Sequence, residues 1–92
     1  MRKNIKKALE LLGIEYCEKV IDLEQCVYRD FGNGYDIEIS GLDNQKRNPK
    51  VTIYLWCKKE RAEIVKSVSD VDIKDVHSEI KKLYEWTKES GE

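Results

Sequence analysis

The segment Gly32-Asn33-Gly34 is the feature of the sequence that most constrains the fold. It separates two stretches in which apolar and polar residues alternate, residues 26–31 and residues 35–40. Alternation with a period of two is typical of a strand with one buried face, and a short glycine-rich connection between two such strands predicts a β-hairpin. The chain is therefore expected to contain at least one antiparallel pair of strands.

The register of this hairpin follows from the side chains that need burial. A three-residue loop with a left-handed Gly34 pairs Val27 with Ile39 and keeps the apolar residues of both strands on one face. The alternative is a two-residue turn, which shifts the pairing by one residue and turns one apolar set toward solvent. We therefore predict the three-residue loop, whose drawback is that Asp30 faces Asp36.

Further alternation predicts the rest of the sheet. Residues 50–58 alternate clearly after Pro49, which cannot donate to a β-ladder and so marks the start of a strand. A polar turn at residues 58–61 separates this strand from a weaker one at residues 62–68. Residues 14–25 keep neither the helical nor the strand period, so a short strand and an irregular crossing over the core both remain open there.

Apolar residues at helical spacing predict a helix at each end of the chain. The first spans about residues 2–12 and ends at Gly13, which suits the left-handed conformation of a helix C-terminus. The second extends to about residue 89, and Asp72 and Asp75 resemble a capping box at its start. The candidate N-caps of the second helix are Ser69, Asp70 and Asp72. The apolar stripes are Ile5, Ala8, Leu9, Leu11 and Leu12 in the first helix and Ile73, Val76, His77, Ile80, Leu83, Tyr84 and Thr87 in the second.

These elements predict a single two-layer α+β domain over residues 1–92. Its sheet is antiparallel with three or four strands, and the N-terminal and C-terminal helices pack on one face of it. A chain of 92 residues has room for only one modest core. The face toward the helices is the one that carries Val27, Ile39, Ile53 and Leu55, so the opposite face is left uncovered.

The uncovered face carries the candidate binding residues. Exposed Trp and Tyr side chains are typical of protein interfaces, whereas carboxylates repel nucleic-acid phosphates. The preferred hypothesis is a small protein-interaction module that presents this face to a basic protein partner. An alternative interpretation is a merely solvated face whose rings lie under a loop or under residues 14–25. Thr52 lies on the same face, and the six residues of the candidate site are Tyr28, Asp30, Asp36, Glu38, Tyr54 and Trp56.

Two specific forms of the interaction hypothesis follow from the same face. One is self-association through Tyr54 and Trp56 to give a homodimer. The other is an inhibitor or adaptor encoded by a mobile element, a suggestion that rests on the small size and the acidic α+β character of the chain. Neither form names the partner.

The second hypothesis is a nucleic-acid-binding accessory protein that uses the basic loop 44–50 and the turn 58–61. The chain has 17 Lys and Arg against 18 Asp and Glu, a balance that weakens this hypothesis. The order of the elements is similar to that of the double-stranded RNA-binding domain, but residues 69–75 are acidic where that family carries phosphate-binding lysines, so no family is assigned. The candidate nucleic-acid residues are Lys46, Arg47, Lys50, Lys58, Lys59 and Arg61.

No catalytic site, cofactor or metal site is predicted. The glycines form no phosphate-binding motif. The chain's Cys17, Cys26, Cys57 and His77 lack the closely paired spacing of structural zinc ligands. The three carboxyl groups of the uncovered face lack the loop carbonyls that complete most sites for hard cations. We therefore expect that the protein is not an enzyme.

The sequence also predicts a cytoplasmic protein. The basic N-terminal segment has no unbroken apolar stretch of the kind that a signal peptide requires. No window approaches the length of a membrane-spanning helix, so no membrane partner is expected. An odd number of widely spaced cysteines favours reduced thiols over a disulfide framework.

Overall fold

The computed structural model describes residues 3–44 and 46–90, which form one antiparallel sheet and two helices. The strands follow a meander in which each pairs with the next along the chain. The α+β class is confirmed, but the sheet has five strands rather than three or four. In chain order the elements are α1 (Lys3–Leu12), β1 (Cys17–Ile21), β2 (Glu24–Asp30), β3 (Tyr35–Ser40), β4 (Lys50–Cys57), β5 (Glu63–Asp72), a 3-10 turn (Ile73–Asp75) and α2 (Val76–Ser90).

The additional strand, β1, lies in the segment for which the sequence left two interpretations open. Ile21 pairs with Glu24, so only Asp22 and Leu23 connect β1 to β2. Both connecting residues have positive φ, 51° and 67°. Such a two-residue hairpin turn is usually built from Asn and Gly. Because neither residue here is glycine, the sequence carries no clear signal for the turn.

The predicted register of the β2–β3 hairpin is confirmed. Val27 lies opposite Ile39. The amide of Phe31 donates a hydrogen bond of 3.1 Å to the carbonyl oxygen of Tyr35, which closes a three-residue loop. Gly34 has a φ of +90°, the left-handed conformation that the loop requires. The core side chains of both strands therefore point the same way.

Both helices pack on the face of the sheet that carries Val27, Ile39, Ile53 and Leu55. These four side chains are at most 1% exposed. Burial of such aliphatic side chains supplies the main favourable term in folding. The full cluster comprises Ile5, Ala8, Leu12, Tyr16, Val27, Tyr35, Ile37, Ile39, Leu42, Val51, Ile53, Leu55, Val71, Val76, Ile80 and Leu83.

Two residues assigned to the helical stripes lie outside the core. Leu11 is 59% exposed, and His77 is also exposed. Each lies one position from a buried residue, Leu12 or Val76, and one position along an α-helix rotates a side chain by about 100°. Their assignment to the inward stripes was wrong.

The start of the second helix also differs from the prediction. β5 continues to Asp72, so Ser69 and Asp70 lie in a strand and are not helix caps. Asp72 pairs with Lys50 of β4, and its carboxylate accepts a hydrogen bond from the ammonium group of Lys50. Asp72 makes no side-chain capping bond to the 3-10 turn that follows. The capping box with Asp75 was therefore wrong.

Asn4 ties α1 to the loop between β3 and β4. Its side-chain amide donates to the backbone oxygens of Asn44 and Lys46, each at 3.0 Å. Asn4 is buried although it is polar, and these bonds supply the partners that a buried amide needs. The first helix and a loop about forty residues away are thus fixed to each other.

Gly41 allows a direct test of the close backbone approach at the end of β3. Gly41 and Gly13 have nearly the same φ, +102° and +101°, but a Cβ at Gly41 would lie 2.7 Å from the backbone oxygen of Lys50, whereas a Cβ at Gly13 would meet open space. We expect Gly13→Ala to lower the free energy of unfolding by about 1–2 kcal/mol through conformational strain. Gly41→Ala should lower it by at least ~1 kcal/mol more, because the strand backbone must move. Urea denaturation measures both, and equal losses would contradict the steric argument.

Candidate protein-interaction face

The structure brings all six residues of the predicted interaction site together on the side of the sheet opposite both helices. They form two rows across β2, β3 and β4. One row is Tyr28, Glu38 and Tyr54, and the other is Asp30, Asp36 and Trp56. We call these six residues the acidic-aromatic face.

The acids and rings of this face are less exposed than expected. Asp36 and Glu38 are only 6% and 7% exposed, and the three aromatic residues are half-buried, while Asp30 is exposed. The reason is the strand order. β3 is the central strand, so its short acidic side chains lie between the larger side chains of β2 and β4.

The carboxyl group of Glu38 has a partner for each oxygen. The indole N–H of Trp56 donates to Oε1 at 2.9 Å. The Cys26 thiol lies within hydrogen-bonding distance of Oε2, at 3.7 Å. These contacts satisfy a buried polar group and also fix the orientation of the Trp56 ring. Cys26 was not among the predicted site residues, although it lies two residues before Tyr28 on the same strand.

The surroundings of Cys26 make its thiol a poor nucleophile. Its side chain is fully buried. Burial raises the pKa of the Cys26 thiol to about 12, and the nearby carboxyl groups of Glu24 and Glu38 add to the effect. Because the thiolate is the reactive form, this cysteine is suited to a structural role.

Three groups make the close approach of Asp30 and Asp36 tolerable. The Lys58 ammonium lies 2.8 Å from Asp30 Oδ2 and 3.8 Å from Asp36 Oδ2. The Tyr28 hydroxyl donates to Asp36 Oδ2 at 2.6 Å, and the Gly32 amide donates to Asp30 Oδ1 at 2.8 Å. Two facing carboxylates would otherwise repel each other.

The same contacts alter the acid–base behaviour of the face. The hydrogen bond with Lys58, and then that with the backbone of Gly32, lower the pKa of Asp30. The bond with Asp30 raises the pKa of Lys58. Burial, and then the hydrogen bond to Asp36, raise the pKa of Tyr28. The neutral hydroxyl of Tyr28 is therefore the form that the fold stabilises.

A groove of about 520 Å³ opens beside Asp36 on this face. Tyr28 and Trp56 contribute its aromatic surfaces, and Lys19 and Lys58 border it. The Lys19 ammonium lies 4.2 Å from the centre of the Tyr28 ring, a cation–π contact. Lys19 was likewise not among the predicted site residues, because residues 14–25 keep no clear period that would place β1 beside this face.

The residues of the nucleic-acid hypothesis do not form one surface. Lys50 begins β4 and Lys58 directly follows its last residue, so the two lie about 26 Å apart at ~3.3 Å per residue. Lys46 and Arg47 belong to the loop before β4, and Lys59 and Arg61 belong to the turn after it. Both end lysines also pair with carboxylates, Lys50 with Asp72 and Lys58 with Asp30. Two separated and partly neutralised groups do not make a continuous phosphate-binding surface.

The residues considered for zinc binding are dispersed. Cys26 lies beside Glu38 of the acidic-aromatic face, Cys57 packs against the core on the helix side, and His77 is exposed on α2. Within residues 3–44 and 46–90, no group of three His, Cys, Asp or Glu side chains is arranged to hold a metal ion.

Neither helix of the described chain combines the length and the apolar character needed to cross a membrane.

Comparison of the chain with known protein families, with curated proteins and with solved structures gave no match.

Thiol labelling tests the structure around Cys26. Cys17 is exposed and Cys26 is fully buried, so Ellman's reagent at mildly alkaline pH should modify Cys17 at least ~100-fold faster than Cys26 in the folded protein. Mass spectrometry of digested samples assigns each modification to its cysteine. Protein unfolded in guanidinium provides the control, in which both cysteines should react at similar rates. Equal rates in the folded protein would contradict the buried position of Cys26.

Alkaline unfolding tests the hydrogen bond between Tyr28 and Asp36. Because folding raises the pKa of Tyr28, its contribution to stability is fully present below the unfolded value of about 10 and is lost as the pH rises through the folded value. We expect the free energy of unfolding to decline above pH ~10, and to decline less in Tyr28→Phe. Tyr54→Phe removes a hydroxyl from the same face without touching this bond and is the matched control. Urea denaturation over a pH series measures the effect, and identical slopes for wild type and Tyr28→Phe would refute it.

Proposed function

We propose that the protein is a small protein-interaction module whose acidic-aromatic face docks on a basic surface of another protein. The observation that carries the proposal is the position of Tyr28, Tyr54 and Trp56. Their rings are half-buried beside carboxyl groups, on the side of the sheet opposite both helices. Aromatic residues of this kind supply a large share of the binding energy in many protein interfaces.

The hydrogen bonds within the face favour binding because they hold two of the rings in place. Trp56 is bound to Glu38, and Tyr28 is bound to Asp36. Side chains that are already ordered lose less conformational entropy when a partner docks. The face therefore supports affinity through a preformed arrangement.

The charge of the face favours a basic partner. Asp30, Asp36 and Glu38 lie within it, and the ammonium groups of Lys19 and Lys58 lie at the groove. Complementary charge accelerates association and selects against partners of the same sign. A second copy of this chain would bring the same acids face to face, which favours a different protein.

We further propose that the protein acts by binding in a reducing compartment such as the cytoplasm, and that it is not an enzyme. The buried Cys26 has a raised pKa, and the chain's one histidine lies on the helix layer. A nucleophile and its base must lie within hydrogen-bonding distance. The cysteines are free, which suits a reducing environment.

A substitution at Tyr54 tests the proposal. Tyr54→Arg places a positive charge in the face and leaves the bonds of Asp36 and Glu38 intact, and Glu85→Arg on the exposed side of α2 is the matched control. Affinity capture from an extract of the source organism, quantified by mass spectrometry, should recover a basic-surfaced partner with wild type and with Glu85→Arg. Recovery with Tyr54→Arg should fall at least ~10-fold.

Three outcomes would contradict the proposal. A partner that Tyr54→Arg retains in full would place the interface elsewhere. A dimer detected by light scattering that Tyr54→Arg dissociates would make a second copy the occupant. Binding to nucleic acid that falls steeply with salt would support the alternative hypothesis instead. Urea denaturation of each variant verifies that the fold is intact.

A further inference from the structure

We propose that the groove between Tyr28 and Trp56 receives an arginine side chain of the partner protein, with Asp36 as its counter-ion. The inference rests on the proposed function, since it names the chemical group that the acidic-aromatic face would hold. It goes further because it assigns one residue as the centre of recognition.

Asp36 has unused hydrogen-bonding capacity in a buried position. The residue is 6% exposed. Its Oδ2 accepts the short bond from Tyr28, but its Oδ1 is buried and has no hydrogen-bond partner among the described residues. A buried acceptor without a donor destabilises a fold, more so when it is charged. Because Oδ1 is covered in the free protein, a partner's donor reaches it only after neighbouring side chains move, and the new hydrogen bond would then remove that penalty.

The groove has the lining that a guanidinium group requires. Asp36, Tyr28 and Trp56 all line it, so one carboxyl group lies beside two aromatic rings. A guanidinium group is planar, donates two parallel hydrogen bonds to a carboxylate and stacks on aromatic rings. The contact between Lys19 and Tyr28 already shows that this ring accepts a cation. Lys19 and Lys58 also line the groove, so an incoming guanidinium has to displace their ammonium groups from Tyr28 and Asp36.

The side chain of Lys58 occupies part of the groove, but its interaction with Asp36 is weak. Its ammonium group is 2.8 Å from Asp30 and 3.8 Å from Asp36, so its closer partner is Asp30. The separation of 3.8 Å from Asp36 is longer than a hydrogen bond, so the interaction of Lys58 with this buried carboxylate is the weaker of the two. An incoming guanidinium can therefore displace Lys58 from Asp36 while Lys58 keeps its bond to Asp30. We infer that Lys58 acts as an internal competitor for the groove.

A peptide titration tests the inference without the unidentified partner. The probe is a Gly-Arg-Gly peptide with blocked ends, added to ¹⁵N-labelled protein and followed by NMR. The control peptide carries citrulline, which has nearly the same shape as arginine but no charge. We expect shift changes centred on Tyr28, Asp36 and Trp56, including the indole N–H, with a Kd of ~1 mM. The citrulline peptide should bind at least ~10-fold more weakly.

Variants separate the site from the general charge of the surface. Asp36→Asn should weaken arginine binding about tenfold, whereas Lys58→Gln should strengthen it about threefold by removing the competitor. Asp72→Asn removes another lysine-paired aspartate, at the far end of the sheet, and should leave binding unchanged. If Asp36→Asn fails to fold, Lys58→Gln still tests the inference. A purely structural role of Asp36 predicts that Lys58→Gln binds the arginine peptide no more tightly than wild type does.

The inference is overturned by shift changes spread over all acidic residues, by equal binding of the citrulline peptide, or by equal binding of a lysine peptide. These outcomes leave the proposed function standing if Tyr54→Arg still abolishes partner capture. Conversely, one combination of results would refute the proposed function alone. In it, the arginine peptide binds specifically while the partner is recovered equally well with wild type and with Tyr54→Arg.

Discussion

The register between β2 and β3 determines which side chains lie on each face of the sheet. It places Val27 opposite Ile39 and thereby directs a continuous apolar surface toward both helices. The same register places Asp30 opposite Asp36, two carboxylates that repel each other. A slip of one residue would put acids under the helices, which would be far more destabilising. The core thus sets the arrangement of the acidic-aromatic face, and Lys58, Tyr28 and Gly32 compensate for it.

The polar contacts on the uncovered side of the sheet form two adjoining groups. One joins Glu38 to Trp56 and Cys26, and the other joins Asp36 to Tyr28 and Lys58. In the first group each carboxyl oxygen has a partner. In the second, Asp36 Oδ1 has none among the described residues. This asymmetry distinguishes Asp36 from its neighbour and is why the arginine inference centres on it.

Much of the sheet could be predicted from the sequence because its pattern reports burial directly. The alternation after Gly34 and after Pro49 specified β3, β4 and the residues on each face. β1 could not be predicted, since its turn at Asp22 and Leu23 uses positive φ in residues that do not signal it. The burial of Asp36 and Glu38 also escaped prediction, because it depends on large side chains from both neighbouring strands and not on any local pattern.

The meander topology has a consequence for the order of folding. Each strand pairs with its neighbour in sequence, so the hairpins close short loops and can form quickly. The anchorage of α1 is different, because Asn4 must reach Asn44, forty residues further along the chain. This non-local contact closes a loop that contains β1, β2 and β3. The bonds from Asn4 to Asn44 and Lys46 can accordingly form only after residue 46 has been synthesised, so α1 lacks this anchor while the chain is still emerging from the ribosome.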